Sequence, residues 1–162
     1  MTMVSFDALP DDARVWVFGA GSALDDESTA RMLDEVDAWL AQWQAHGQPL
    51  TSAREWRDGR FLAVGVDQSM AGASGCSIDA LFRILRELEL RSGTTLLAGG
   101  RVFFRDGAGE VQCVDRPTFA ERVRNGAVGD DTPVFDTTVT QASAYRRHFE
   151  RPMQASWHAQ LV

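Results

Sequence analysis

Residues 49–66 read PLTSAREWRDGRFLAVGV. Pro49 and Leu50 lead into a strand ending near Trp56, and Asp58-Gly59 is a dipeptide that tolerates positive φ at both positions. Phe61 to Val66 is an apolar run of strand length. The stretch therefore predicts a β-hairpin, and everything around it is placed by reference to that hairpin.

Upstream, Arg14 to Phe18 (RVWVF) is rich in β-branched and aromatic residues and is followed by the turn residues Gly19, Gly21 and Ser22, so it reads as a first, central strand. From Asp25 to His46 the apolar residues Leu33, Val36, Leu40 and Trp43 recur at helical spacing, with acidic residues at the start and Gly47 just past the end. Downstream, a loop from Asp67 to Gly75 opens a second helix from about Ser77 to Arg91, with Ile78, Leu81, Leu85 and Leu88 on one face and Gly93 as its stop. Arg101 to Arg105 and Val111 to Val114 flank Asp106-Gly107-Ala108-Gly109, a second hairpin signal. Pro117 to Asn125 reads as a short helix and Val134 to Val139 as one more strand. Thr140 is expected to cap a helix through Phe149 that Pro152 ends, before a final turn carrying Trp157.

This order predicts an α+β chain with a ferredoxin-like β-α-β-β-α-β core, an extra hairpin strand and a helical C-terminal extension. In that core Arg14 to Phe18 and Phe61 to Val66 are expected as neighbouring parallel strands, because a helix long enough for a crossover lies between them.

The 162 residues, 44% hydrophobic and 24% charged, suit one globular domain spanning Met1 to Val162 without disulfides or a structural metal. The start has no basic leader followed by an apolar run, and no apolar stretch is long enough to span a bilayer, so a cytoplasmic location is expected. Cys76 and Cys113 are then free thiols, and with three scattered histidines they make no zinc-ligand spacing. A net charge of −7 argues against nucleic acid or an anionic membrane as partner, while small phosphorylated ligands stay allowed. Every one of the sixteen basic side chains is arginine. Schiff-base chemistry, pyridoxal-phosphate anchoring and a Walker A lysine are excluded, apart from the N-terminal amine, and no cofactor is implied.

Residues Gly72 to Asp79 (GASGCSID) join a strand to a helix and put a thiol at the helix start. Unpaired N–H groups and the positive end of the helix dipole favour an anion there. Ser74, Gly75 and Ser77 are thus candidate ligand-binding residues, and a thiolate at Cys76 would be favoured if exposed. The structural alternative is that Ser74 or Ser77 caps the helix and Cys76 is a small filler. His46, read as the end of the first helix, and His158, in the tail, are the candidate bases for Cys76. Trp39 lies off the strict apolar stripe and Trp157 near the end, which makes them candidates for a pocket lid or a self-association contact.

With these segments in view, the chain resembles a family of small bacterial proteins of similar length that carry the automatic label "ABC transporter ATPase". The resemblance rests on Arg14-Val15-Trp16-Val17, on Trp43-Gln44-Ala45-His46-Gly47 followed by Pro49-Leu50, and on Ala73 to Asp79. It continues in Val134-Phe135-Asp136 and Ser156-Trp157-His158. It brings no activity with it. The label conflicts with the chemistry, since an ABC ATPase needs a Walker A lysine, an acidic magnesium site and a signature loop, and this sequence has none of them. The sequence thus supports a small binding or self-associating interaction module with an anion- or small-ligand-binding loop at Gly72 to Asp79. The alternative is an enzyme or redox protein using Cys76 with a histidine base.

Overall fold

The computed structural model describes residues 3–69 and 71–162; Met70, in the loop expected between Asp67 and Gly75, lies outside them, as do Met1 and Thr2. In chain order the elements are β1 (Arg14–Gly19), α1 (Asp26–Leu40), β2 (Gln44–Ala45), β3 (Gln48–Pro49), β4 (Thr51–Arg57), β5 (Phe61–Asp67) and α2 (Gly75–Ser92). They continue with β6 (Arg101–Arg105), β7 (Val111–Asp115), α3 (Arg116–Arg124), β8 (Pro133–Phe135), α4 (Ala142–His148) and β9 (Glu150–Pro152). Single 3-10 turns lie at Phe6–Ala8, Met153–Ala155 and Trp157–Leu161. The class is α+β, with antiparallel sheets.

The hairpin of β4 and β5 has a three-residue connection, Asp58 to Arg60, in which Asp58 (φ 56°) and Gly59 (φ 65°) take the positive φ values of a tight turn closed by Arg60 N–H on Arg57 O. The first sheet has the order β1-β5-β4. Strand β1 is indeed next to β5, but antiparallel to it, with Arg14 opposite Val66 and Gly19 opposite Phe61. This corrects the expected parallel pairing, and the reason is geometric. The α1 crossover returns the chain along β1's own direction, and that strand is β4; the hairpin then reverses it, and the reversed strand β5 inserts between them.

The expected fourth strand also goes elsewhere. Strand β6 joins a second sheet of order β7-β6-β8-β9 and does not extend the first, so a closed ferredoxin-like core is not formed. Its side chains explain why. Val102 and Phe104 point to one face, Phe103 to the other, and all three are buried, so β6 needs apolar cover on both faces.

Three apolar clusters result. Leu62, Val64 and Val66 of β5 pack with Met32, Val36 and Leu40 of α1 and with Leu81, Leu85 and Leu88 of α2. The other face, with Val15, Val17, Phe61 and Ala63, meets Phe103 and Phe135 of the second sheet and Tyr145 and Phe149 of the C-terminal region. Beyond the second sheet, Val102, Phe104 and Val134 are covered by Phe119 of α3, Val128 and Met153. The layers are therefore helices, sheet, sheet, helix. Gly19 faces the sheet-to-sheet contact so closely that a Cβ built on it would lie 2.3 Å from Phe103 Cζ. Glu150 accepts hydrogen bonds from Arg57 and Arg105, and Tyr145 donates to Glu55, tying the β4–β5 hairpin to the second sheet and α4.

Two boundaries differ from expectation. Helix α1 stops at Leu40, not His46. His46 (φ 52°) and Gly47 (φ 76°) instead form the turn of the small β2–β3 hairpin, and Trp43 anchors that hairpin by donating its Nε1–H to Ser77 O at 2.9 Å. Periodicity carried past the helix because Trp43 is buried for this separate reason. At the other end, Thr140 is not the cap of α4, which starts after Gln141; the Thr140 carbonyl accepts from Val15 N–H. Strand β8 ends at Phe135 because Asp136 captures the Thr138 N–H at 2.9 Å and turns the chain. The tail is not wholly helical either, since β9 adds to the second sheet. Among the described residues no helix is long and apolar enough to cross a membrane.

Candidate functional site

The Gly72–Asp79 segment opens α2 as a capped helix. The Ser74 hydroxyl accepts from Ser77 N–H at 3.2 Å, and the Ser77 hydroxyl accepts from Ser74 N–H at 2.7 Å, a reciprocal capping box that occupies both hydroxyls. Gly75 is the first helical residue, and Cys76 is exposed on the first turn. Among the described residues no hydrogen bond joins Cys76 to an imidazole. His46 is exposed on the β2–β3 turn, whereas His158 is 1% exposed at the far side of the second sheet, with Phe119 of α3. Trp39 is half-buried with its ring centroid 5.2 Å from that of Trp43. No group of three or more His, Cys, Asp or Glu among the described residues is arranged to hold a metal ion.

Of the candidate site residues named from the sequence, Trp157 is the one that lines a large cleft. This cleft, about 400 Å³, runs along the outer edge of β1. Hydrogen bonding explains why that edge is open. In an antiparallel pair the backbone groups of successive residues face alternate sides. Ala20 N–H goes to Arg60 O on the β5 side, while on the opposite side Val15 N–H goes to Thr140 O and Ala13 O accepts from Ala142 N–H. Odd-numbered groups thus face away from β5. The edge is covered at Val15 by the Thr137–Thr140 segment and closed again at Gly21, whose N–H goes to Thr95 O at 2.9 Å. Between these points the Val17 N–H and C=O and the Gly19 N–H have no protein partner among the described residues.

The walls are held firmly. On the α2 side, Glu89 accepts from the N–H groups of Leu96 and Leu97 at 2.6 and 3.0 Å, fixing the loop that lines the cleft together with Phe82. On the second-sheet side, Trp157 donates its Nε1–H to Asp136 at 3.0 Å and stacks on His158 with centroids 3.9 Å apart. Burial of Asp136 would raise its carboxyl, but hydrogen bonds from Thr138 and Trp157 outweigh it and hold the group below the usual carboxylate range.

Among the described residues, arginine supplies all the charge in the cleft. Arg14, Arg101 and Arg116 come from β1, β6 and α3, and no carboxylate, histidine or cysteine is among the lining residues. Arg14 lies over the Trp16 ring at 4.7 Å and Arg116 over Trp157 at 5.9 Å. Arg101 donates to the Cys113 sulfur at 3.4 Å, and its guanidinium fits where Gly21 has no side chain; a Cβ there would lie 2.7 Å from Nη1. None of the three forms an ion pair with a carboxylate among the described residues, whereas Arg54, Arg57, Arg105 and Arg146 each do.

His158 gives this wall a pH dependence. Burial pushes its imidazole down to about 4, against a raising effect of Asp136. Below the unfolded value of about 6.5 the unfolded chain takes up a proton that the folded chain refuses, so stability falls as pH drops from 6.5 towards 4, by about 2 kcal/mol for this group. Urea titrations at pH 7 and pH 5 are expected to show that fall in the native sequence and to lose most of it in His158→Phe. An undiminished slope in the variant would assign the proton to another group.

Fold and cleft together define an α+β protein with an arginine-lined groove on an open strand edge. No protein-family model, no curated protein and no solved structure matches the chain. The three arginines escaped the sequence reading because they are scattered over three elements and over more than a hundred positions. The one available signal was compositional, the exclusive use of arginine.

Proposed function

We propose that this chain is a non-catalytic binding module and that its site is the β1-edge groove, which takes an anionic ligand. One observation carries the reading: among the described residues the only charged groups lining the groove are three arginines, none within ion-pair distance of a carboxylate, in a chain of net charge −7. A cleft of about 400 Å³ is within the range of small-molecule sites. Guanidinium groups suit carboxylate and phosphate, and among the described lining residues there is no acid, histidine or thiol to act as a general base. The Cys76 segment is thereby a capped helix start, and the expected small or anionic ligand moves to the groove. Cytoplasmic residence belongs to the same reading, supported by two free cysteines. So does the resemblance noted above, since Arg14-Val15-Trp16-Val17 and Trp157 of its motifs meet at this groove.

The test is a thermal-shift panel of inorganic phosphate, phosphomonoesters, di- and tricarboxylates and carboxylate-terminated peptides. At least one class is expected to raise Tm by several degrees at saturation, with the effect falling as salt is added and disappearing when Arg14, Arg101 and Arg116 are all changed to Gln. A panel without any shift, or a shift untouched by the triple substitution, would overturn the reading.

A further inference from the structure

Given that the groove binds anions, we infer that its occupant is the C-terminal end of an extended peptide, laid along β1 by strand addition with its terminal carboxylate on Arg101, whose guanidinium lies at the Gly21 end of the open edge. The inference rests on the reading above and adds the backbone to it. A small anion would use the guanidinium groups and leave the Val17 N–H and C=O and the Gly19 N–H unmatched. A peptide main chain offers the complementary acceptor and donor at the same repeat.

Length and closure point to a chain end. From Val15 to Gly19 the open edge covers about 13 Å, enough for three residues in extended conformation. A strand that continued along β1 would run into Thr140 at one limit and Thr95 at the other, both of which already bond the strand edge. A segment that terminates inside the groove at the Gly21 end never reaches Thr95, and only its upstream part has to turn off the edge, at the Thr140 limit. Termination also supplies the charge, because a free carboxylate needs no particular side chain and the described lining of the groove holds three arginines and no acid. The flanking Phe82 and Trp157 leave apolar walls for the side chains that alternate above and below the added strand.

The experiment uses the full chain and two pools of N-acetylated tetrapeptides randomised at the first three positions, one pool ending in a free carboxylate and the other in an amide. Binding is followed by affinity selection with mass spectrometry and then by calorimetry of selected members. Free-carboxylate peptides are expected to be retained and their amides to bind about ten- to a hundredfold more weakly, the worth of a charge-assisted hydrogen bond. N-methylation of the main chain at the position paired with Val17 is expected to cost about fivefold. Arg101→Gln, which leaves the strand edge intact, should reduce affinity about tenfold and remove the preference for carboxylate over amide. Equal retention of both pools, or indifference to N-methylation at every position, overturns the inference. If phosphate or dicarboxylates bind through the three arginines and the peptides do not, the anion-binding reading survives and this one fails; if nothing binds, both fail. A protein that sediments as a dimer and retains no peptide would put a second copy on the β1 edge, which also overturns it.

Discussion

Phe61→Ala is expected to destabilise the protein by about 3–5 kcal/mol, a large part of the total for a domain of this size. Phe61 is fully buried on the central strand of the first sheet, facing the second. Its ring centroid lies 5.0 Å from Phe103, 4.8 Å from Phe135 and 5.0 Å from Phe149, so one side chain touches β6, β8 and the end of α4. Truncation leaves a cavity whose walls belong to separate elements already held by their own hydrogen bonds, and such walls collapse poorly. Phe61→Leu keeps much of the volume and should cost less than half as much. Urea unfolding of both variants at pH 7.5, clear of the His158 transition, measures the difference. A loss under about 1.5 kcal/mol for the alanine variant would mean that the sheets are joined mainly by other contacts.

The second large effect is expected at Arg60. Its guanidinium donates to three backbone carbonyls, Ala20 at 3.1 Å, Val111 at 2.8 Å and Gly21 at 3.2 Å, and so fastens the turn after β1 to the first residue of β7. Burial lowers its pKa, and no carboxylate bonds it among the described residues. Methionine at this position keeps most of the stem but leaves all three carbonyls short of a donor. The site is half-buried, so water replaces part of the loss, and about 2–3 kcal/mol is expected. Arg60→Lys should recover less than half of this, since a single ammonium cannot span three diverging acceptors as the planar fork does. Ligand binding should weaken as well, because Gly21 closes one end of the groove and leaves room for Arg101. The checks are chemical denaturation and the thermal-shift panel. Native stability in Arg60→Met would show that the Ala20–Gly21 turn holds without the guanidinium.

Local chemistry was legible wherever neighbours in sequence decide the structure. Asp58-Gly59 gave the central hairpin, Gly93 the left-handed stop of α2 at φ 76°, and Ser74 the cap. What could not be read was which strand pairs with which. The β6 pattern is equally compatible with the fourth place in the first sheet and with an inner place in the second; the choice depends on Phe103 meeting Phe61 across the sheets, a contact between residues 42 positions apart. His46-Gly47 resembled a helix stop because the same dipeptide also suits a hairpin turn, and Trp43 preserved helical spacing by chance. The groove was hidden for the same reason as the sheet order. Arg101 and Arg116 carry no local motif, Arg14 stood out only as the start of a strand motif, and only the pairing that leaves β1 with an open edge brings them together.

The contacts that close the β1 edge below Val15 have a consequence for the order in which the chain acquires its structure. Ala142 N–H bonds Ala13 O, Ser143 N–H bonds Asp11 O, and Arg146 reaches Asp11 and the carbonyls of Phe6 and Leu9. During synthesis the first sheet and its two helices are complete by residue 92, yet the face carrying Val15, Phe61 and Ala63 waits for Phe103, Phe135 and Phe149. Contacts over such sequence separations wait until their later partner has been synthesised, whereas hairpins and helices form within microseconds of emerging. A ribosome-bound chain of about 100 residues thus presents an uncovered apolar sheet face for the several seconds taken to add the rest, and in that interval it is a substrate for chaperones rather than a folded domain.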